Sequence, residues 1–121
     1  MPNRSQSPRT RRVADRIQVE LAEILTTKTE DPRLRVLSVT GADVTRDFAS
    51  ARVWISGALS EEEEPAILKA LQHAAPYFRS LLAPRLKLRV VPELRFEIDR
   101  SIETGTRIEK LLRELSEPRD E

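Results

Sequence analysis

The sequence predicts an α+β fold, a three-stranded sheet covered by helices. Three observations lead there. Apolar residues recur at helical spacing early, midway and late in the chain. Between those stretches, residues 36–56 and 86–98 carry strand-like alternation of apolar and polar side chains. The resulting order, with helices before, between and after the strands, lets helices cover one face of a single sheet.

Residues 1–8 are polar and basic with two prolines, and are expected to be a disordered extension. The first helix follows, with Val13, Ile17, Leu21, Ile24 and Leu25 on one stripe. Arg12 and Arg16, four apart, share a flank of it. The helix is expected to end by EDPR at 30–33, since a proline disfavours helical geometry at the residue before it. The first strand lies within residues 36–46, with Val36, Leu37, Val39 and Val44 as candidate core, and Gly41 leaves its register open.

FASARVWIS at 48–56 alternates cleanly, with Ala49, Ala51, Val53 and Ile55 facing the core and Ser50, Arg52 and Trp54 facing away. Trp54 is read as covering an edge or packing under the first helix. The short RDF link predicts an antiparallel hairpin. Ser60 and Glu63 then form a capping box, with Pro65 in the first turns of the next helix. That helix carries Ile67, Leu68, Leu71, Ala74 and Ala75 until Pro76, which is expected to break it. A short helix with Tyr77, Phe78, Leu81 and Leu82 follows and closes at Pro84. The last strand is expected through residues 86–98, with Leu86, Leu88 and Val90 on one face, Lys87 and Arg89 on the other, and Pro92 at a bend. A C-terminal helix over 102–115 presents Ile108, Leu111, Leu112 and Leu115, weakened early by Gly105, before an acidic tail. The expected organisation is therefore an extension at 1–8, a folded domain at 9–100, and a helix with tail at 101–121.

The chain has 121 residues, 39% of them apolar, with three Phe, one Tyr and one Trp, so its core must be aliphatic. With no cysteine, disulfides and thiolate metal sites are excluded. There is no apolar run long enough for a membrane span, and MPNRSQSPRTRR lacks a signal peptide's apolar stretch. A cytoplasmic protein without a membrane partner is expected.

A net charge of +1 conceals strong segregation. From Pro65 to Pro92 there are five basic residues and no acid, and the first sixteen residues hold five arginines against Asp15 alone. Acids collect at 61–64 and 114–121. Such separation can build one basic face suited to a phosphate-rich partner, and it is equally compatible with ordinary solvated charge.

Catalytic chemistry finds no constellation. His73 is the single histidine, EEEEP sits where a helix start favours acids, and Gly41, Gly57 and Gly105 are too scattered to cradle a phosphate. The aspartates at 31, 43, 47 and 99 fall in turns and strand ends. No cofactor and no metal site are expected. The break at Pro76 would instead free the amides of Tyr77, Phe78 and Arg79 to meet a phosphate. The small Ala74 and Ala75 would let a nucleic-acid backbone approach, and Arg79, Arg85, Lys87 and Arg89 would extend the contact. A general nucleic-acid module and a protein-binding module both remain open on these residues alone.

Several motifs together resemble the ribosome-binding factor A family, bacterial assembly factors of the small ribosomal subunit. They are RVADRIQVELAEIL at 12–25, EDPRLRVLSVTGADVTRDFASARVWIS at 30–56, and ALQHAAPYFRSLLAPRLKLRVVPELRFEIDRSIETGTRI at 70–108. The resemblance implies a single KH-like domain of the second type, ordered helix-strand-strand-helix-kink-helix-strand. It also implies a kink of alanine, any residue and glycine in place of the GXXG loop of KH domains, matched here by Ala74, Ala75 and Pro76. The proline departs from that pattern and puts in question contacts that need an amide hydrogen or a positive φ at 76.

By resemblance, the protein would be a non-catalytic monomer linked to growth in the cold. It would bind the free, immature small subunit through its ribosomal RNA and promote maturation of that RNA's 5′ region, beside other assembly factors. Arg9, Arg11, Arg12 and Arg16 of the first helix, with Ala74, Ala75, Pro76, Tyr77, Arg79, Arg85, Lys87 and Arg89, are the expected RNA contacts.

Overall fold

In the computed structural model, residues 7–57, 59–101 and 111–115 are described. Helix α1 spans Pro8–Thr27, a short α2 Pro32–Arg35, strand β1 Ser38–Val44, β2 Ser50–Ser56, helix α3 Glu64–Leu86 and β3 Glu93–Ile98. Strand β2 is central, antiparallel to β1 and parallel to β3. The parallel pair requires a crossover, and α3 supplies it. Helices α1 and α3 lie against β1 and β3 and against each other, giving the expected α+β architecture. Two side-chain amides tie the layers: Gln18 donates to the Val39 carbonyl (3.3 Å) and Gln72 to that of Leu94 (2.9 Å).

Helix α1 starts because Ser7 caps it. The Ser7 hydroxyl accepts the Thr10 amide at 3.2 Å, and Pro8 occupies the first helical position, where its missing N–H costs nothing. The buried stripe is Thr10, Ala14, Ile17, Leu21, Ile24 and Leu25, the predicted one with Ala14 in the place expected for the half-buried Val13. The helix ends at Thr27, before the expected EDPR stop. Asp31 and Pro32 start α2 instead, as its N-cap and first residue, with Asp31 accepting the Arg33 amide at 2.9 Å.

A bulge at Thr40 settles the open register. Val39 pairs with Ile55 and Gly41 with Trp54, so Thr40 is the extra residue. The buried set therefore changes parity, from Leu37 and Val39 to Ala42 and Val44, while Val36 is 74% exposed and lies outside the core. On β2, Ala51, Val53 and Ile55 are buried as predicted, whereas Ala49 precedes the strand and is exposed. Trp54 is buried but stands apart from the main core cluster.

Ser60 and Glu63 do bond, amide to hydroxyl at 3.2 Å and hydroxyl to carboxylate at 2.9 Å, but they close a turn ahead of α3 and do not cap it, since its N-cap is Glu63 with no side-chain cap bond. The largest departure from expectation is α3 itself. It is one uninterrupted helix through Pro76 and Pro84, not two. Its buried residues Ile67, Leu71, Ala75, Phe78 and Leu82 keep helical phase across Pro76, so burial of a continuous stripe outweighs the local cost. Both proline rings are exposed, where water can serve the carbonyls they leave without donors.

Because α3 extends to Leu86, the expected strand over 86–92 does not form. Lys87 turns the chain with φ 55°, Arg89 and Val90 lie in bends, and Val90 is 67% exposed. Strand β3 begins only at Glu93, with Leu94 and Phe96 buried. Of the C-terminal helix, residues 111–115 are helical, but Leu111, Leu112 and Leu115 are exposed and contribute nothing to the core. The remainder of that expectation, with Ile108 and Gly105, lies outside the described residues, as do residues 1–6.

Candidate nucleic-acid interface

Chain direction decides where the charges gather. Helix α3 ends, and α1, β2 and β3 begin, at one end of the domain. Bonds fix this polarity: Arg16 of α1 donates to the Arg85 carbonyl (3.2 Å), Tyr77 to that of Lys28 (3.3 Å), and the Glu93 amide to that of Ala49 (3.0 Å). Arg12 lies one turn before Arg16, and Lys87 and Arg89 follow Arg85, so the three approach the same end. All are exposed and have no ion-pair partner among the described residues. Arg9 is there too, its guanidinium 5.1 Å from the centroid of the Phe48 ring. Arg46, which sequence reasoning passed over, is exposed in the β1–β2 turn at this end; an arginine between the two strands of a hairpin was the available signal.

Residues 61–63 lie at the opposite end, before α3. A seven-residue strand separates the ends, about 20 Å. That exceeds the screening length of about 8 Å at physiological salt, so the acids do little to cancel the basic field.

The other expected contacts are engaged within the domain. Arg79 donates to the Val91 carbonyl at 2.8 Å, and its buried Nε has no partner in the structure. Arg85 sits 3.0 Å from Glu20 and 3.2 Å from Glu23. Arg16 pairs with Glu20 at 3.2 Å and Arg11 with Asp15 at 3.5 Å. Ala75 is buried in the core and Pro76 is exposed on the outer face of α3. The free amides expected at Tyr77, Phe78 and Arg79 are overturned, because residues inside a continuous α-helix donate to the preceding turn.

Ala74 and Tyr77 instead line a separate groove of about 750 Å³ between α3 and the α1–α2 connection, with Lys28, Leu34 and His73. Arg33 at its edge is paired with Asp31 at 2.7 Å, and that hydrogen-bonded contact holds the aspartate below its ordinary pKa. Among the described residues, no three His, Cys, Asp or Glu side chains converge on a possible metal position, and no helix is long and apolar enough to cross a membrane.

A three-stranded sheet with a central β2, a crossover α3 and helices packed against it defines a KH-like α+β domain. The chain belongs to the ribosome-binding factor A family, whose model matches residues 9–112. It is 44% identical over 105 residues to ribosome-binding factor A of Thiobacillus denitrificans, covering 87% of this chain and 85% of that one. With the Nitrosomonas europaea protein of the same name, identity is 42% over 106 residues, covering 88% and 91%. The crystal structure of ribosome-binding factor A from Thermus thermophilus matches with a TM-score of 0.66 at 28% identity, over 76% of this chain and 98% of that one. A homology model of the Thermus thermophilus factor, fitted into a cryo-EM map of its complex with the 30S subunit, matches with a TM-score of 0.60 at 30% identity, over 72% and 91%.

Proposed function

We propose that this protein is a non-catalytic assembly factor that binds the immature small ribosomal subunit through its ribosomal RNA. In this reading it acts in the cytoplasm as a monomer, through a domain at residues 9–100, and promotes maturation of the RNA's 5′ region. Growth in the cold is where its loss would be felt most.

The observation that carries the reading is the likeness to a family member fitted into a 30S complex. The cluster of unpaired cations at one end supports it, since phosphate contacts supply most of the affinity for RNA. Arg9, Arg12, Lys87 and Arg89 are the proposed contacts. Arg79 and Arg85 would shape the surface from beneath, half-buried and bonded to the Val91 carbonyl and to Glu20, while Arg11 and Arg16 lie on the surface in ion pairs with Asp15 and Glu20. Four phosphate contacts predict about a 50- to 150-fold loss of affinity between 50 and 200 mM salt.

Co-sedimentation with isolated small and large subunits over a salt series tests this. Selective, salt-sensitive capture by small subunits is the expected result. Equal binding to both subunits, or to neither, would refute the proposed partner.

A further inference from the structure

Residues 45–49 join β1 to β2 in a turn whose polar groups are nearly all used internally. The Thr45 amide donates to the Ser50 carbonyl and the Phe48 amide to that of Thr45, both at 2.9 Å. Asp47 Oδ1 accepts the Ala49 amide at 3.0 Å and the Thr45 hydroxyl at 2.8 Å, and these bonds hold its carboxyl below the usual aspartate range. The carboxylate is thus directed into the turn, while the neighbouring Arg46 side chain is exposed and has no ion-pair partner among the described residues.

Phe48 has φ 59°, a left-handed conformation that a bulky side chain rarely adopts. Its ring packs on the core with the Arg9 guanidinium above it. Strain of this kind persists only where surroundings over-determine it, and it concentrates where geometry serves a contact. Here it gives Arg46 a rigid base. Ala49 accepts the Glu93 amide, so the turn lies beside the start of β3 and shares its end with Arg12, Lys87 and Arg89.

We infer that the β1–β2 turn is a phosphate-contacting element of the RNA interface, with Arg46 as its contact and the Arg9–Phe48 stack as its brace. This rests on the proposed function above and adds a contact to it. A planar guanidinium on a fixed turn suits bidentate recognition of a phosphodiester.

The test is the salt dependence of binding to purified small subunits for wild type, Arg46→Ala, Arg46→Lys and Lys69→Ala, the last near the acidic end. Arg46→Ala is expected to bind several-fold more weakly and to lower the slope of log affinity against log salt by about one unit. Arg46→Lys should keep the slope, and Lys69→Ala should match wild type. Unchanged binding by Arg46→Ala, with wild type captured normally, overturns the inference and leaves the proposed function standing. A weaker Arg46→Ala with an unchanged slope would put Arg46 against protein and also overturns it, as does an equal loss from Lys69→Ala. Failure of wild type to bind small subunits removes both readings.

Discussion

Arg85 Nη1 on α3 stands 3.0 Å from Glu20 Oε2 on α1, and both side chains are largely shielded from solvent. An arginine that sequence alone offers as an RNA contact is therefore a strut between the two long helices. Arg85→Ala would leave Glu20 with Arg16 alone and release Glu23 as well. Charge-assisted bonds in such a half-buried site contribute about 1–2 kcal/mol after allowance for screening. The melting temperature should fall by about 4–10 °C. A fall within about 2 °C in thermal unfolding would show the strut to be dispensable.

Lys87 predicts opposite signs for stability and binding. It holds φ 55° at the C-terminus of α3 and its amide reaches the Ala83 carbonyl at 3.2 Å, the position glycine favours. Relief of left-handed strain, less glycine's extra entropy loss, should make Lys87→Gly more stable by about 0.5–1 kcal/mol. The same change deletes a proposed phosphate contact, so affinity for small subunits should drop and the salt slope shrink by about one unit. Urea unfolding paired with sedimentation separates the two effects.

Pro76 occupies an exposed site inside a continuous helix. Pro76→Ala would return a donor to the Gln72 carbonyl and remove the ring's clash with it, with an expected gain of about 1–3 kcal/mol. A loss of stability on urea unfolding would mean that the ring's effect on helix path sets the packing of Ala75 and Phe78.

The pH dependence has a defined sign at Asp99. The Thr40 hydroxyl donates to its carboxylate at 2.5 Å and is the main cause holding its pKa below 3.8. A depressed carboxylate stabilises the fold above the unfolded value, and that contribution is lost as pH falls through the folded one. Thr40→Val should therefore lose stability at pH 7 and show a smaller further loss on acidification below the aspartate range. Urea midpoints at neutral and acid pH check it; equal acid losses in both proteins would exclude the coupling.

Much of the fold was legible because it depends on local pattern. The α1 stripe, the alternation of Ala51, Val53 and Ile55, and the hairpin all follow from periodicity. What failed was decided by distant partners. The bulge at Thr40 flips the facing of β1, and only pairing with β2 requires it, so Val36 looked as good a core residue as Val39. Pro76 and Pro84 read as breaks because local rules weigh a proline heavily. The phase of Leu71, Ala75, Phe78 and Leu82 across it was visible and carried more weight. At the site, residue type showed the cations but not their engagement: Arg79 and Arg85 are occupied by Val91 and Glu20, far away in sequence, while Arg12 and Arg89 are not.

The central position of β2 also shapes how the domain assembles. Its partner on one side is its sequence neighbour, so that hairpin can form from local contacts in about 1–10 μs. Its other partner, β3, arrives only after all of α3 has been laid down, and such long-range parallel pairing is slow. During synthesis the hairpin emerges first, and one edge of β2 stays open, its backbone groups without a ladder partner, until residues 93–98 leave the ribosome. For that interval both long helices are present, yet the nascent sheet carries an unpaired edge that only β3 can close.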